Sequence, residues 1–216
     1  ALRTFMRWSS LNVLHTFANY TFMARFVREK LSQEITQPGP NGPVKVFDPT
    51  QVHYLGVSNG GTFGYVLAAT SPQLTRAAII VGGGGLTHFL QRSVVWNGYK
   101  LFLDIMYPDA RNQQLLMSLM QILIDPVDSM NYAEHLVKNR FPGCQPIRVA
   151  SVMAVNDSQV NNMVSEWVAR TADLPLVTPA PKSIFELRTV TAAPAAGTTE
   201  PGAFFVFDEK VQGYPV

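Results

Sequence analysis

Val52-His53-Tyr54-Leu55-Gly56-Val57-Ser58-Asn59-Gly60-Gly61 is the stretch whose reading decides the fold. Val52 to Val57 reads as a short apolar β-strand, and Thr62 to Ala69 is helix-compatible up to Ser71-Pro72. A strand must therefore reverse into a helix within a few residues, and Ser58 sits at the reversal. Gly56 and Gly60, two positions to either side, are expected to give room for the turn. A serine held there is strained, and its hydroxyl is lifted above the sheet edge. The helix opening near Asn59 turns unpaired N–H groups toward the same point, the Asn59 N–H among them, which is how a chain holds an oxyanion.

The elements around this junction alternate. Ala77 to Val81 is a continuous apolar run, as expected of a parallel strand covered on both faces, and Gly82-Gly83-Gly84-Gly85 closes it. Ile147 to Val155 reads as a third strand, Val160 to Thr171 as the helix after it, and Ala203 to Phe207 as a fourth strand behind a loose stretch from Thr191 to Gly202. Ahead of the junction, Arg3 to Glu34 contains no proline or glycine, and its apolar residues recur every three or four positions, which predicts a long amphipathic helix. Gln37-Pro38-Gly39-Pro40-Asn41-Gly42-Pro43 ends it in a loop. Strands alternating with helices imply an open α/β sheet. Leu86 to Phe141 is helical in pattern, with Leu101–Met106, Leu115–Ile124 and Tyr132–Lys138 as its helices. Residues 1–85 and 142–216 then form an α/β core, and 86–141 an insertion.

Composition narrows the function classes. The 216 residues are 47% hydrophobic and 15% charged, enough to bury a core in one globular unit. The 17 basic and 15 acidic side chains are scattered, without the Lys/Arg clusters that neutralise phosphates, so nucleic acid is not an expected partner. Cys144 is the single cysteine, which excludes an internal disulfide, and no His/Cys cluster suggests a metal site. The longest near-apolar run, Leu115 to Ile124, is interrupted by Ser118 and Gln121 and falls short of a transmembrane span. The first residue is Ala1, which leads straight into a helical pattern rather than a targeting segment.

From Asp48 to Gly61 the sequence resembles the approach to the nucleophile elbow of the α/β-hydrolase superfamily of esterases, lipases and serine peptidases. The resemblance implies that Ser58 is a nucleophile, that Asn59 donates to the oxyanion, and that the four strands are strands five to eight of a mostly parallel eight-stranded sheet flanked by helices. It makes 86–141 a helical cap over the site. It implies a serine, acid, histidine order along the chain. Val155-Asn156-Asp157-Ser158-Gln159-Val160 looks like the acid turn, so Asp157 is the expected acid, with an N-cap as its structural alternative. Asp125 and Asp128 beside Pro126 are lesser candidates. His15, His53, His88 and His135 all precede Asp157, so the expected histidine lies outside the sequence, as does the second oxyanion donor, and the chain reads as a C-terminal portion.

The function implied is hydrolysis of hydrophobic carboxylic esters through an acyl-enzyme at Ser58, without metal or organic cofactor. The alternatives are a serine peptidase and a non-catalytic domain of the same shape. A nucleotide-binding turn at Gly56, Gly60, Gly61 and Gly64 is the rival reading. It calls for an acidic residue at the end of the next strand, where this chain has four glycines.

Overall fold

A computed structural model describes residues 2–194 and 200–208. Part of the expected loose stretch before the fourth strand, and all of Tyr214-Pro215-Val216, lie outside the described residues. The proline-free N-terminal segment forms one helical rod: α1 (Leu2–Phe26), a π-helical turn (Val27–Leu31) and α2 (Ser32–Glu34). The loop behind it is pinned by a two-residue antiparallel ladder between β1 (Thr36–Gln37) and β2 (Val44–Lys45).

The body then runs β3 (His53–Val57), α3 (Asn59–Thr70), β4 (Arg76–Ile80), α4 (Leu86–Arg92), α5 (Trp96–Met106), α6 (Ala110–Ile124), a 3-10 turn (Asp125–Val127), α7 (Met130–Ala133), β5 (Arg148–Ala154), α8 (Asn162–Thr171), β6 (Leu176–Val177), β7 (Thr189–Val190) and β8 (Gly202–Phe207). Six strands form one sheet in the order β3-β4-β5-β8-β6-β7, every neighbouring pair parallel. The protein is an α/β fold, with a parallel sheet flanked by helices. The four apolar runs became β3, β4, β5 and β8 within a residue of their expected limits. β6 and β7 extend the sheet past β8 and were not expected.

Strand alternation gives the sheet two unlike faces. Ile79, Met153 and Phe204 point into a core shared with Tyr65 of α3, Leu136 just after α7, and Val168 of α8. The opposite face carries Leu55, Val57 and Phe207, all exposed. Among the described residues this second face is half-buried through β4, β5 and β8 and open at its edges, so it is covered less than the expectation for parallel strands, which are ordinarily sandwiched.

The stretch expected to stand apart as a cap divides in two. Val127, Ala133 and Leu136 are buried with the core helices, so its last part belongs to the body. Of Tyr132–Lys138 only Tyr132 and Ala133 are helical, as the end of the short α7, and the rest is turns. α6 lies against α1, where the Ser10 hydroxyl donates to the Leu123 carbonyl at 2.8 Å and Ile124 packs beside Phe17. Among the helices of this stretch, α5 is the one that buries none of its residues. Among the described residues, no helix is long and apolar enough to cross a membrane.

Candidate functional site

Ser58 occupies the single residue between β3 and α3, with φ 55° and ψ −118°. This lies outside the allowed regions for a side-chain-bearing residue, and such strain costs of order 1–3 kcal/mol. The surrounding packing imposes it. The Ser58 N–H donates to the Ile80 carbonyl at 3.0 Å, so the residue is still tied to β4. Its own carbonyl accepts from the Thr62 N–H at 2.8 Å and so already belongs to α3. The hydroxyl makes no hydrogen bond among the described residues and caps no helix N–H.

The glycines divide the work unequally. A Cβ on Gly56 would collide with the Gly60 carbonyl and lie 2.7 Å from the Tyr54 ring, so only glycine lets α3 fold back over β3. A Cβ on Gly60 would meet only the Tyr54 hydroxyl oxygen at 3.7 Å, an ordinary contact. Gly60 is therefore not required for room, which corrects the expectation that both glycines were. Gly61 and Gly64 would drive a Cβ to 2.6 Å from the Ile80 carbonyl and 2.5 Å from the Tyr54 ring. These two glycines serve the packing of α3 onto the sheet, and that accounts for the glycine-rich junction without a phosphate. The Tyr54 hydroxyl closes the turn by donating to the Gly60 carbonyl at 2.6 Å.

Asn59 is the first residue of α3 and is exposed, and the N–H groups of a first helical turn have no partner within the helix. Asp157 follows β5 by three residues and is half-buried. Its Oδ1 accepts from the Gln159 N–H at 2.8 Å and the Val160 N–H at 2.9 Å, so it closes a turn of its own loop. Oδ2 accepts no hydrogen bond from any described residue. The structural alternative expected for Asp157, an N-cap, is only partly met. α8 begins at Asn162 with Asn161 as its N-cap residue, not at Val160, because this loop intervenes.

β3, β4 and β5 are adjacent and parallel, with Val57, Ile80 and Val152 in register, so Ser58 and Asp157 emerge from the same C-terminal edge of the sheet. Two strand spacings, about 10 Å, separate their strands. That edge is where open α/β sheets bind ligands.

No described histidine hydrogen-bonds to either of them. His53 stands at the other end of β3 and is exposed. His15 is exposed on α1. His88 is edge-on to Trp167 with ring centroids 5.5 Å apart. His135 pairs through Nδ1 with the Asn139 carbonyl at 2.6 Å and lies against Phe141. Among the described residues, no three His, Cys, Asp or Glu side chains gather as metal ligands would.

Asp125 and Asp128 have structural partners. Asp128 is fully buried, and its carboxylate takes four donors: the N–H groups of Gly85 at 2.7 Å, Leu86 at 2.6 Å and Met130 at 2.9 Å, and Gln121 Nε2 at 2.8 Å. Asp125 accepts from the same Gln121 nitrogen at 2.7 Å. Asp128 thus holds the glycine loop after β4 onto α6 and α7. Beneath the elbow, Tyr65 and Ser151 share a 2.5 Å hydrogen bond, and complete burial pushes the tyrosine hydroxyl up to about 12. No family model matches the chain, and no curated protein matches it.

Proposed function

We propose that the protein is a serine hydrolase of the α/β-hydrolase type that cleaves carboxylic esters at Ser58. One observation carries this reading: a serine in a left-handed, strained conformation, at the junction of a parallel strand and a helix, with its hydroxyl unbonded at the ligand-binding edge of the sheet. In this reading the Ser58 Oγ bonds to the ester carbonyl carbon and passes its proton to a base, while the carbonyl electron pair moves onto oxygen. The Asn59 N–H receives that oxyanion. Collapse breaks the bond to the alkoxy oxygen, which leaves with the proton held by the base. Water then splits the acyl-serine by the same route in reverse.

Asp157 Oδ2 is the group that would orient the base, since Oδ1 is engaged in its own turn. The reading requires a histidine as the base, and none of His15, His53, His88 and His135 hydrogen-bonds to Ser58 or Asp157 among the described residues. The same observation favours the second reading, a non-catalytic domain in which the elbow survives as a turn.

Hydrolysis of p-nitrophenyl butyrate separates the two. It would be measured for this chain and for the chain expressed with the flanking coding sequence of its gene, each beside a Ser58→Ala control. Turnover by the longer protein that falls about 10³-fold or more in Ser58→Ala is the expected result. Turnover insensitive to Ser58→Ala, or none in the longer protein, would overturn the hydrolase reading.

A further inference from the structure

Between α4 and α6 lies an apolar cavity of about 200 Å³, walled by Leu86, Phe89, Leu90, Val95, Met120 and Ile124. We infer that this cavity binds one uncharged alkyl or aryl group of about six to eight carbons. On the hydrolase reading above, on which this second step rests, the group is the acyl chain of the ester.

Three observations carry the inference. The first is chemical. The two hydroxyls in the lining, Thr87 and Ser93, are engaged within the fold: the Thr87 Oγ1 donates to Gln121 Oε1 at 2.7 Å, and the Ser93 Oγ accepts from the Val95 N–H at 3.5 Å. The cavity therefore offers a guest chiefly dispersion and dehydration, with the Ser93 O–H as its one available polar group.

The second is size. An enclosed apolar cavity of about 150 Å³ accommodates benzene; this pocket offers about 200 Å³ between half-buried apolar walls and is open to solvent at Val95, so it suits a guest slightly larger whose far end reaches the opening.

The third is position. At one end, Leu86 and Ile124 pack in a cluster with Phe63, five residues past Ser58 on α3. At the other, the Val94 N–H donates to the Ser158 carbonyl at 2.8 Å, and Asn161 Nδ2 reaches the Phe89 carbonyl at 3.5 Å. The helix lining the cavity is thus anchored to the elbow helix on one side and to the loop of Asp157 on the other.

The test uses linear 1-alkanols from ethanol to dodecanol as probes, titrated into the Ser58→Ala chain and followed by isothermal titration calorimetry. Affinity is expected to rise about fourfold for each added CH₂ and to stop rising beyond octanol. Leu90→Trp should fill the space and weaken hexanol binding at least tenfold. Met120→Ala should enlarge the space and move the cutoff to longer alcohols, which keeps the test decisive if the tryptophan variant does not fold. Absence of a cutoff, or a cutoff that neither variant moves, would overturn the cavity assignment. Turnover is read separately, with a p-nitrophenyl ester series in the longer protein. Absent turnover with the alkanol cutoff intact removes the hydrolase reading and leaves the cavity as a binding site. Turnover with no chain-length preference shows that the acyl chain lies elsewhere.

Discussion

The two faces of the parallel sheet are built from the same strands and have unequal fates. In β3 to β8, residues of one parity, such as Ile79, Met153 and Phe204, are at most 1% exposed, while those of the other parity are mostly half-buried in the central strands, and at the edge strand β3 Leu55 and Val57 are 67% and 54% exposed. Both sets are apolar. A run such as Ala77-Ala78-Ile79-Ile80 carries no polar alternation, and alternation is the only mark by which a sequence declares one face wet. Residue chemistry thus reports what a strand is suited to touch, and only the arrangement of helices reports what it does touch.

The contrast is open to four measurements, from the largest effect to the smallest. Phe204→Ala on the covered face should lower the free energy of unfolding by about 3–5 kcal/mol in a urea titration, since the ring is wholly buried and its neighbours cannot collapse into the space. A loss under about 1 kcal/mol would mean that the covered face is loosely packed. The Tyr65 hydroxyl gives the same face a pH signature. Its folded value near 12 lies above the ordinary tyrosine value near 10, so burial favours the protonated form. Stability from this group is complete below pH 10 and is lost as pH rises from 10 through 12, by about 2–3 kcal/mol in all. Tyr65→Phe should flatten that part of a pH-dependent denaturation series.

Smaller effects are expected where the sheet meets the elbow. Gly56→Ala should cost about 1–3 kcal/mol, because the added methyl meets the Gly60 carbonyl and α3 must lift. Gly60→Ala should change stability by less than about 1 kcal/mol, since its site is open and alanine is the better helix former. Equal losses at the two glycines, read by thermal unfolding, would show that the turn needs both. Smallest of all, Leu55→Ser at the open edge of the other face should stay within about 0.5 kcal/mol. A loss comparable to that of Phe204→Ala would show that this face is covered in solution.

Much of this architecture was legible in the sequence. The long strands announced themselves as apolar runs, and the proline-free N-terminus as a helix. β6 and β7 did not, because two residues each, Leu176-Val177 and Thr189-Val190, are too few to show a period. At the candidate site the serine was legible from its glycines, yet which glycine is indispensable depends on where α3 folds back, a matter of angle rather than of composition. The loop of Asp157 was read as running straight into a helix, and the two residues by which α8 starts late are what make it a turn of its own. The partners of Asp128 were the least legible. Two of its four donors, Gly85 and Leu86, lie more than forty positions away, and nothing local to Asp128-Ser129-Met130 points to them.

That buried carboxylate also governs how the space between α4 and α6 can respond to a guest. By gripping Gly85, Leu86 and Gln121 together, Asp128 acts as a rivet at the first residue of α4, and the Thr87 bonds to Gln121 tighten it. Two bars riveted at one end spread only from the other. Dilation of the space is then greatest around Leu90 and Val95 and least around Leu86, so a molecule enters from the side where α5 departs, and its leading end stops against a wall that does not yield.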